Sequence, residues 1–449
     1  MSENHSDPEI ERLRKENEEL RKKLEELRKE KERIEKEYEK YKMMHPETTG
    51  VKHGKPYIIK LPTLPKVRKK PGARVGHRPA FRRMPAVITS VQTIDICACP
   101  KCGGHNLSET QDEHERTVED IVIEKPIAIH QIIKRRYCRD CKCLVSGKGI
   151  LALPKARFSL RIMLIVTYLK IGLRLPRHSI PQLLNSLFGL KMSDGEVSRI
   201  LSQVAVAFGP FYDQLVEDIR NAPARHMDET SWRIDGTNAW LWAFVTKGEA
   251  LFTIATSRGH EVPLKVLGEH PKGVDVHDRF SAYNTLARLT GKRPQQVCWA
   301  HLIQDSKELA QFYGEEGDVI QCVMKKTYVR ACAFDHKGTD EDIDELYRLM
   351  INDIDRQYKS SHCNKFVKGL KKAKESLFQF VKNPDVEGTN NRAERALRHS
   401  VVARKISGGS RSEFGARVYE KLMSVVHTIH LRGQNIIEHG PAILLTSHG

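Results

Sequence analysis

The chain is 449 residues long, 39% hydrophobic and 29% charged, a length that predicts two to four units and a composition that fits a soluble protein with highly charged segments. Its 75 lysines and arginines against 57 acids leave a formal charge of +18, which favours a polyanionic partner because basic groups set against phosphate release condensed counterions. No apolar run follows a basic N-terminal segment, and the stretch around Ile162–Leu173 is broken by Lys170 and too short for a bilayer, so neither a secretory signal nor a membrane span is expected.

In chain order, residues 1–44 carry a heptad pattern. Ile10, Asn17, Leu24, Lys31 and Tyr38 share one seam position, and Leu13, Leu20, Leu27, Ile34 and Tyr41 the other, between glutamates, lysines and arginines. A single helix gains nothing from a leucine stripe facing water, so the pattern predicts a coiled coil and hence a homodimer or higher oligomer, with Asn17 favouring a parallel register. Pro46 ends it. Residues 45–92 are rich in Lys, Arg, Pro and Gly and read as an extended basic arm in which Arg68, Lys69 and Lys70 are candidate phosphate contacts.

Six of the ten cysteines fall between Cys97 and Cys143. In a reducing compartment such a cluster reads as metal ligands rather than disulfides. Cys99-Pro-Lys-Cys102 and Cys138-Arg-Asp-Cys141 supply the four thiolates of a tetrahedral Zn²⁺ site, with Cys97 and Cys143 near enough to substitute. Thr117–Ile133 alternates in β fashion, so residues 93–150 predict a zinc ribbon whose strands join the knuckles. Residues 155–222 read as helical: Phe158–Leu173, Ser179–Phe188 and, after Gly189, Ser193–Val206. The last two form a helix-turn-helix-like pair with Ser198 and Arg199 facing outward, a spacing that suits a plain helical domain as well as a groove reader.

After Pro223 the period changes from helix to strand. Arg225–Thr230 with Trp232, then Ala239–Thr246 and Ala250–Thr256 read as three strands, the first pair joined by the turn Asp235-Gly236. A helix over Val262–Leu267, a strand over Gly273–Asp278, a helix over Ser281–Leu289, a short strand over Gln296–Trp299 and a helix over His301–Phe312 follow. That is the element order of a ribonuclease-H-like fold, in which acids on the first and fourth strands approach one another. The expected whole is a multidomain α+β protein whose α/β catalytic domain spans 223–449 with a helical insertion at about 303–385.

Breaking a phosphodiester needs an activated oxygen nucleophile and a stabilised leaving oxygen, both of which two divalent ions about 3.5–4 Å apart can serve. Carboxylates suit Mg²⁺ or Mn²⁺. The candidates are Asp228, Asp278 and, on a short helix, Glu394. Strand alternation turns Glu229 and Asp275 to the opposite face, and Glu387 lies in a loop. Arg392, Arg395 and Arg398 beside Glu394, and Lys405 and Arg411 around the flexible Gly408-Gly409, are candidate DNA contacts. Trp299 and His301 read as core and supporting residues rather than metal ligands.

The strings HMDETSWRIDGTNAWLWAFVT, DRFSAYN, CWAHLIQDSKEL and TNNRAERALR resemble the catalytic blocks of the insertion sequence 66 family of transposases, and the preceding coiled coil, basic arm and paired knuckles resemble the rest of that family's layout. The resemblance implies that Asp228, Asp278 and Glu394 are the catalytic acids of a metal-dependent transposase that frees a 3′-OH at an element end and joins it to target DNA. His277-Asp278-Arg279-Phe280 stands where that family has Ser-Asp-Gly-Tyr, and Lys142 where it has Gly. The alternatives are a catalytically inactive DNA-binding regulator derived from such an element and another ribonuclease-H-like DNA nuclease. The location expected is cytoplasmic, on the nucleoid.

Overall fold

The structure is a computed structural model that describes residues 18, 22, 25, 26, 29, 84–112, 115–146 and 152–446. It divides into two units, Met1–Pro62 and Thr63–Gly449. In the first, the described residues are helical, with i,i+4 pairs Glu18–Lys22 at 3.3 Å and Glu25–Lys29 at 3.8 Å. The heptad seam residues and Arg68, Lys69 and Lys70 lie outside the described residues.

In the second unit the cysteine-rich segment holds one hairpin, β1 (Arg135–Cys138) and β2 (Cys143–Ser146), antiparallel, with Cys138 opposite Cys143. The strands expected over Thr117–Ile133 are not formed: its described residues are irregular and exposed, apolar ones included. Alternation makes a strand only where a partner strand takes up the backbone hydrogen bonds, and here none does.

The helical segment begins with α1 (Leu160–Thr167), which passes into a π-turn at Tyr168–Gly172, where the uninterrupted helix to Leu173 was expected. Then come α2 (Ser179–Phe188) and α3 (Asp194–Ala207). Gly189, at φ 68°, closes α2 in the left-handed conformation that glycine adopts without strain. Ser193 and Glu196 form a reciprocal capping box at the start of α3. After α4 (Gly209–Asn221) the chain enters a five-stranded sheet, with β3 (Ala224–Ile234), β4 (Thr237–Val245), β5 (Ala250–Ala255), β6 (Val274–His277) and β7 (Gln295–Val297) in the spatial order β5-β4-β3-β6-β7. β4 is antiparallel to both neighbours, and β3, β6 and β7 run parallel. Asp235 (φ 48°) and Gly236 (φ 75°) make the two-residue turn between β3 and β4, both left-handed as the twist of a tight hairpin requires.

One sheet face packs Trp232, Leu241, Ala243 and Phe252 against α1–α3 and the late helices α12 (Asn391–Ser407), α13 (Glu413–Leu431) and α14 (Ile436–Thr446). The other packs Met227, Trp242, Phe244 and Leu251 against α4, α5 (Glu261–Leu267) and α6 (Ser281–Leu289). α7 (Trp299–Tyr313), α8 (Glu315–Cys332), α9 (Asp340–Ile354), α10 (Ser361–Lys372) and α11 (Gln379–Lys382) form a third apolar cluster with Val274, Val276 and Val297 of β6 and β7. The interval between the fifth strand and the Glu394 helix is thus mostly helical up to Lys382. The helix holding Glu394 is longer than the short one expected, at 17 residues.

The β3–β6 junction is fixed by charge. Asp275 is fully buried and accepts from Arg225 Nε at 2.7 Å, with Arg293 Nη2 at 2.6 Å from its other oxygen. Arg225 also donates to the Ile219 carbonyl at 2.6 Å. Removing one partner of a buried ion pair strands the others without compensation. Asp275→Asn is expected to cost about 3–5 kcal/mol, read as a lower urea midpoint at unchanged slope.

Candidate active site

Asp228 stands in β3, opposite Ala243 of β4. On its other side β3 pairs with β6 in the register Ala224–Val274, Arg225–Asp275, His226–Val276. Carried two residues further, that register sets Asp228 beside Asp278, the first residue past β6. Residues in parallel register share a face, so both acids turn toward the α12 side, where Trp232 and Ile234 also point. Glu229 points the other way and is buried. It accepts from Tyr283 Oη at 2.6 Å and from Arg258 Nε at 2.8 Å.

Glu394 lies in the first turn of α12. The start of that helix is tied down from three directions. Asn390 Nδ2 donates to the Met227 carbonyl at 2.8 Å, Asn390 N–H to Cys298 Sγ at 3.1 Å, and Trp299 N–H to the Gly388 carbonyl at 2.9 Å. Asn390 was missed in the sequence, although an Asn just before a helix is a standard N-terminal signal. Here its side chain reaches across to the strand residue before Asp228 instead of capping its own helix.

The electrostatics register this convergence. Burial pushes the Asp228 carboxyl well above the usual range, and the negative charges of Glu229, Asp278 and Glu394 push it the same way. Among the described residues, the hydrogen bonds to the Asp228 and Asp278 carboxylates come from backbone N–H groups, those of Glu229 and Phe280, both at 2.9 Å. Like charges gathered from three segments, with no basic side chain among the described residues bonded to the two aspartates, are the environment that a bound divalent cation would relieve. The residues present therefore fit Mg²⁺ or Mn²⁺. Beside them, His301 Nε2 is 3.7 Å from Glu394 Oε1. Its imidazole is pushed up to about 9, first by its hydrogen bond to the Cys298 side chain and then, against burial, by the charges of Cys298, Glu394 and Asp278. Trp299 is core, stacked on Tyr328 at 5.5 Å.

Of the basic candidates, Arg392 is used within the fold, paired with Glu387 and donating to the Thr246 carbonyl at 3.3 Å. Arg395 and Arg398 are exposed and line a cavity of about 660 Å³ together with Arg174, His399, His427 and His430, with no carboxylate among the described lining residues. Arg174, itself at φ 63°, donates to His399 Nδ1 at 2.7 Å, so His399 Nε2 carries the proton donated to the Ile171 carbonyl of the π-turn at 2.6 Å. Arg199, Lys405 and Arg411 are exposed. The segment expected to be flexible around Gly409 is pinned to the sheet: Ser410 N–H donates to the Arg233 carbonyl and Asp235 N–H to the Ser410 carbonyl, each at 2.9 Å. Gly409, at φ 119°, lies so close that a Cβ there would clash with the Arg233 carbonyl oxygen.

Each cysteine knuckle is closed on itself. Backbone N–H groups of Lys101 and Cys102, then the Cys102 side chain, lower the Cys99 thiol, and Cys141 and Asp140 do the same for Cys138. Gly103 (φ 74°) and Lys142 (φ 52°) occupy equivalent left-handed positions just after the second cysteine of each knuckle, so Lys142 holds a conformation that favours glycine. Thiols lowered toward thiolate fit Zn²⁺. Cys143 instead donates its S–H to the Cys141 carbonyl at 3.2 Å. Among the described residues, the metal-ligating set whose donor atoms all lie within 4.8 Å is Cys298, His301 and Glu394; neither the four knuckle sulfurs nor the three acids gather so tightly.

A sequence profile described as Transposase IS66 family matches residues 155–418, well over half the chain. The chain belongs to that family. A second profile, the zinc-finger binding domain of transposase IS66, matches residues 97–142, which suggests Zn²⁺ at the knuckles. Among curated proteins the chain is similar to the uncharacterized protein y4qI of Sinorhizobium fredii (strain NBRC 101917 / NGR234), 20% identical over 279 residues, which is 55% of this chain and 51% of that protein. It thus spans about half the length of the curated relative it matches. No helix among the described residues of this family member is long and apolar enough to cross a membrane.

A carboxyl raised by burial and like charge stabilises the fold while protonated, and that contribution is lost as pH rises through its elevated value. Metal-free Asp228→Asn is therefore expected to melt above the metal-free parent at neutral pH, and Mg²⁺ to raise the parent's midpoint more than the variant's, by thermal melting.

Proposed function

We propose that this chain is a DNA transposase in which Asp228, Asp278 and Glu394 hold Mg²⁺ or Mn²⁺, cleave a strand at each end of an insertion sequence, and direct the freed 3′-OH onto target DNA. The observation that carries the reading is the convergence of three acids from separate segments, with the charges of Asp278 and of Glu394 both bearing on Asp228. The strand order β5-β4-β3-β6-β7, with β4 reversed, supports a ribonuclease-H-like catalytic domain.

Divalent ions held by Asp228, Asp278 and Glu394 would supply Lewis acidity to the scissile phosphate. Asp228 and Asp278, set side by side by the sheet, fix one edge of the site, and Glu394 closes it from α12. Asn390 keeps the start of that helix against β3, so the third acid stays in place when strands enter or leave. Arg395, Arg398 and Arg174 bind backbone phosphates flanking the cut, in a cavity whose described lining is basic and histidine-rich. Lys405 and Arg411 flank the pinned Gly409 turn and extend the basic track, and Arg199 and the Arg68-Lys69-Lys70 arm add contacts further along the DNA. Arg392, held by Glu387, acts only by steadying α12. Cys99, Cys102, Cys138 and Cys141 hold the structural Zn²⁺, and the N-terminal heptads pair two chains so that two element ends are held together on the nucleoid.

A labelled element end incubated with Mg²⁺ tests the reading. Asp278→Ala and Glu394→Ala are each expected to lower cleavage by at least about a hundredfold, the rate equivalent of several kcal/mol of lost metal-assisted stabilisation. Undiminished cleavage by either variant removes that acid from the site, and absence of cleavage by the parent favours a DNA-binding regulator.

A further inference from the structure

Cys298 and His301 lie beside the third acid without a part in the chemistry above. We propose that Cys298, His301 and Glu394 form a second cation site, for a thiophilic divalent ion of the zinc class. Their donor atoms all lie within 4.8 Å of one another, and His301 Nε2 is 3.7 Å from Glu394 Oε1. Ligands on a tetrahedral zinc, at about 2.0–2.3 Å from the metal, stand about 3.3–3.8 Å apart. The His–Glu pair is already at that separation, and small side-chain rotations bring in the sulfur.

Local structure explains the grouping. Cys298 is the N-cap of α7 and His301 the third residue of the helix, a spacing that puts both on one side of its first turn. Glu394 reaches them from the first turn of α12. Cys298 is buried, and the Asn390 N–H donating to its Sγ orients the sulfur. The His301 and Glu394 side chains keep 46% and 36% of their surface, which leaves one side open for a fourth ligand from solvent. A thiolate, an imidazole and a carboxylate with an open position make a zinc-type donor set, whereas Mg²⁺ takes oxygen ligands and has no use for the sulfur. Both ions need Glu394, so an ion of the zinc class bound here takes that carboxylate from the catalytic set. This competition, unlike the site itself, rests on the functional reading above.

The test is a Co²⁺ titration of the full-length protein with its zinc in place, followed by thiolate-to-cobalt absorption. The parent is expected to develop one more equivalent of that absorption than Cys298→Ser. His301→Ala, altering a half-exposed side chain that leaves the core intact, is expected to bind Co²⁺ at least about tenfold more weakly at this site. Exchange at the Cys99–Cys141 knuckles is common to all three proteins and cancels in the comparison. Equal absorption and affinity in the parent and His301→Ala overturns the proposal, even if Cys298→Ser does not fold. The readout needs no catalysis. Extra absorption in a parent that cleaves no DNA keeps the cation site and overturns the functional reading instead.

Discussion

Asp275 lies fully buried between Arg225 of β3 and Arg293 of the segment leading into β7, and the placing of both aspartates in the candidate site depends on that arrangement. Parallel pairing between β3 and β6 is short, three residue pairs, and a short apolar pairing has little to resist a slip. A one-residue slip would turn Asp278 to the opposite face and part Arg225 from Asp275 in a dry interior. Buried ion pairs add little net stability, but separating one is expensive, so they serve well as a registry device. The charge that fixes the sheet, Asp275 on β6, and the candidate site acid Asp278, just past the end of that strand, are thus three residues apart in sequence and separated only by strand parity.

That separation explains how so many acids coexist. Glu229 and Asp275 are neutralised on one face by Arg258, Arg225 and Arg293, and Tyr283 adds a hydrogen bond to Glu229. Asp228 shares the other face with Asp278 and Glu394, whose charges add to burial in raising its cost of ionisation, while His301 stands beside Glu394. α12 joins the acidic site to the basic cavity, because Glu394 sits in its first turn while Arg395 and Arg398 line the cavity beside the π-turn. One helix therefore sets the distance between the Glu394 carboxylate and the Arg395 and Arg398 guanidinium groups. An irregular π-turn and a left-handed Arg174 at the cavity wall are the kind of local strain that accumulates where a ligand is handled.

Much of this was legible in the sequence because it rests on local signals. The helix at Ser179–Phe188 matches its apolar period and its closing glycine, the Ser193 capping box starts α3, and Asp235-Gly236 gives the β3–β4 turn. Strand alternation alone separates Asp228 from Glu229. The same alternation misled at Thr117–Ile133, since period two permits a strand without supplying its partner. Gly408-Gly409 suggested looseness for a similar reason: glycine permits many conformations, and only the approach of the Arg233 carbonyl shows why this one is needed.

The sequence by itself determined the element order, the face on which each acid would lie, the knuckle cysteines and the family, because periodicity, turn chemistry and motif spacing are properties of neighbouring residues. The tertiary structure alone decided which charges meet. Glu394 lies 116 positions beyond Asp278, Cys298 and His301 meet it only because Asn390 anchors α12 to β3 and α7, and Arg392 finds Glu387 rather than solvent. Those contacts are set by long-range packing, and no local pattern in the chain encodes them.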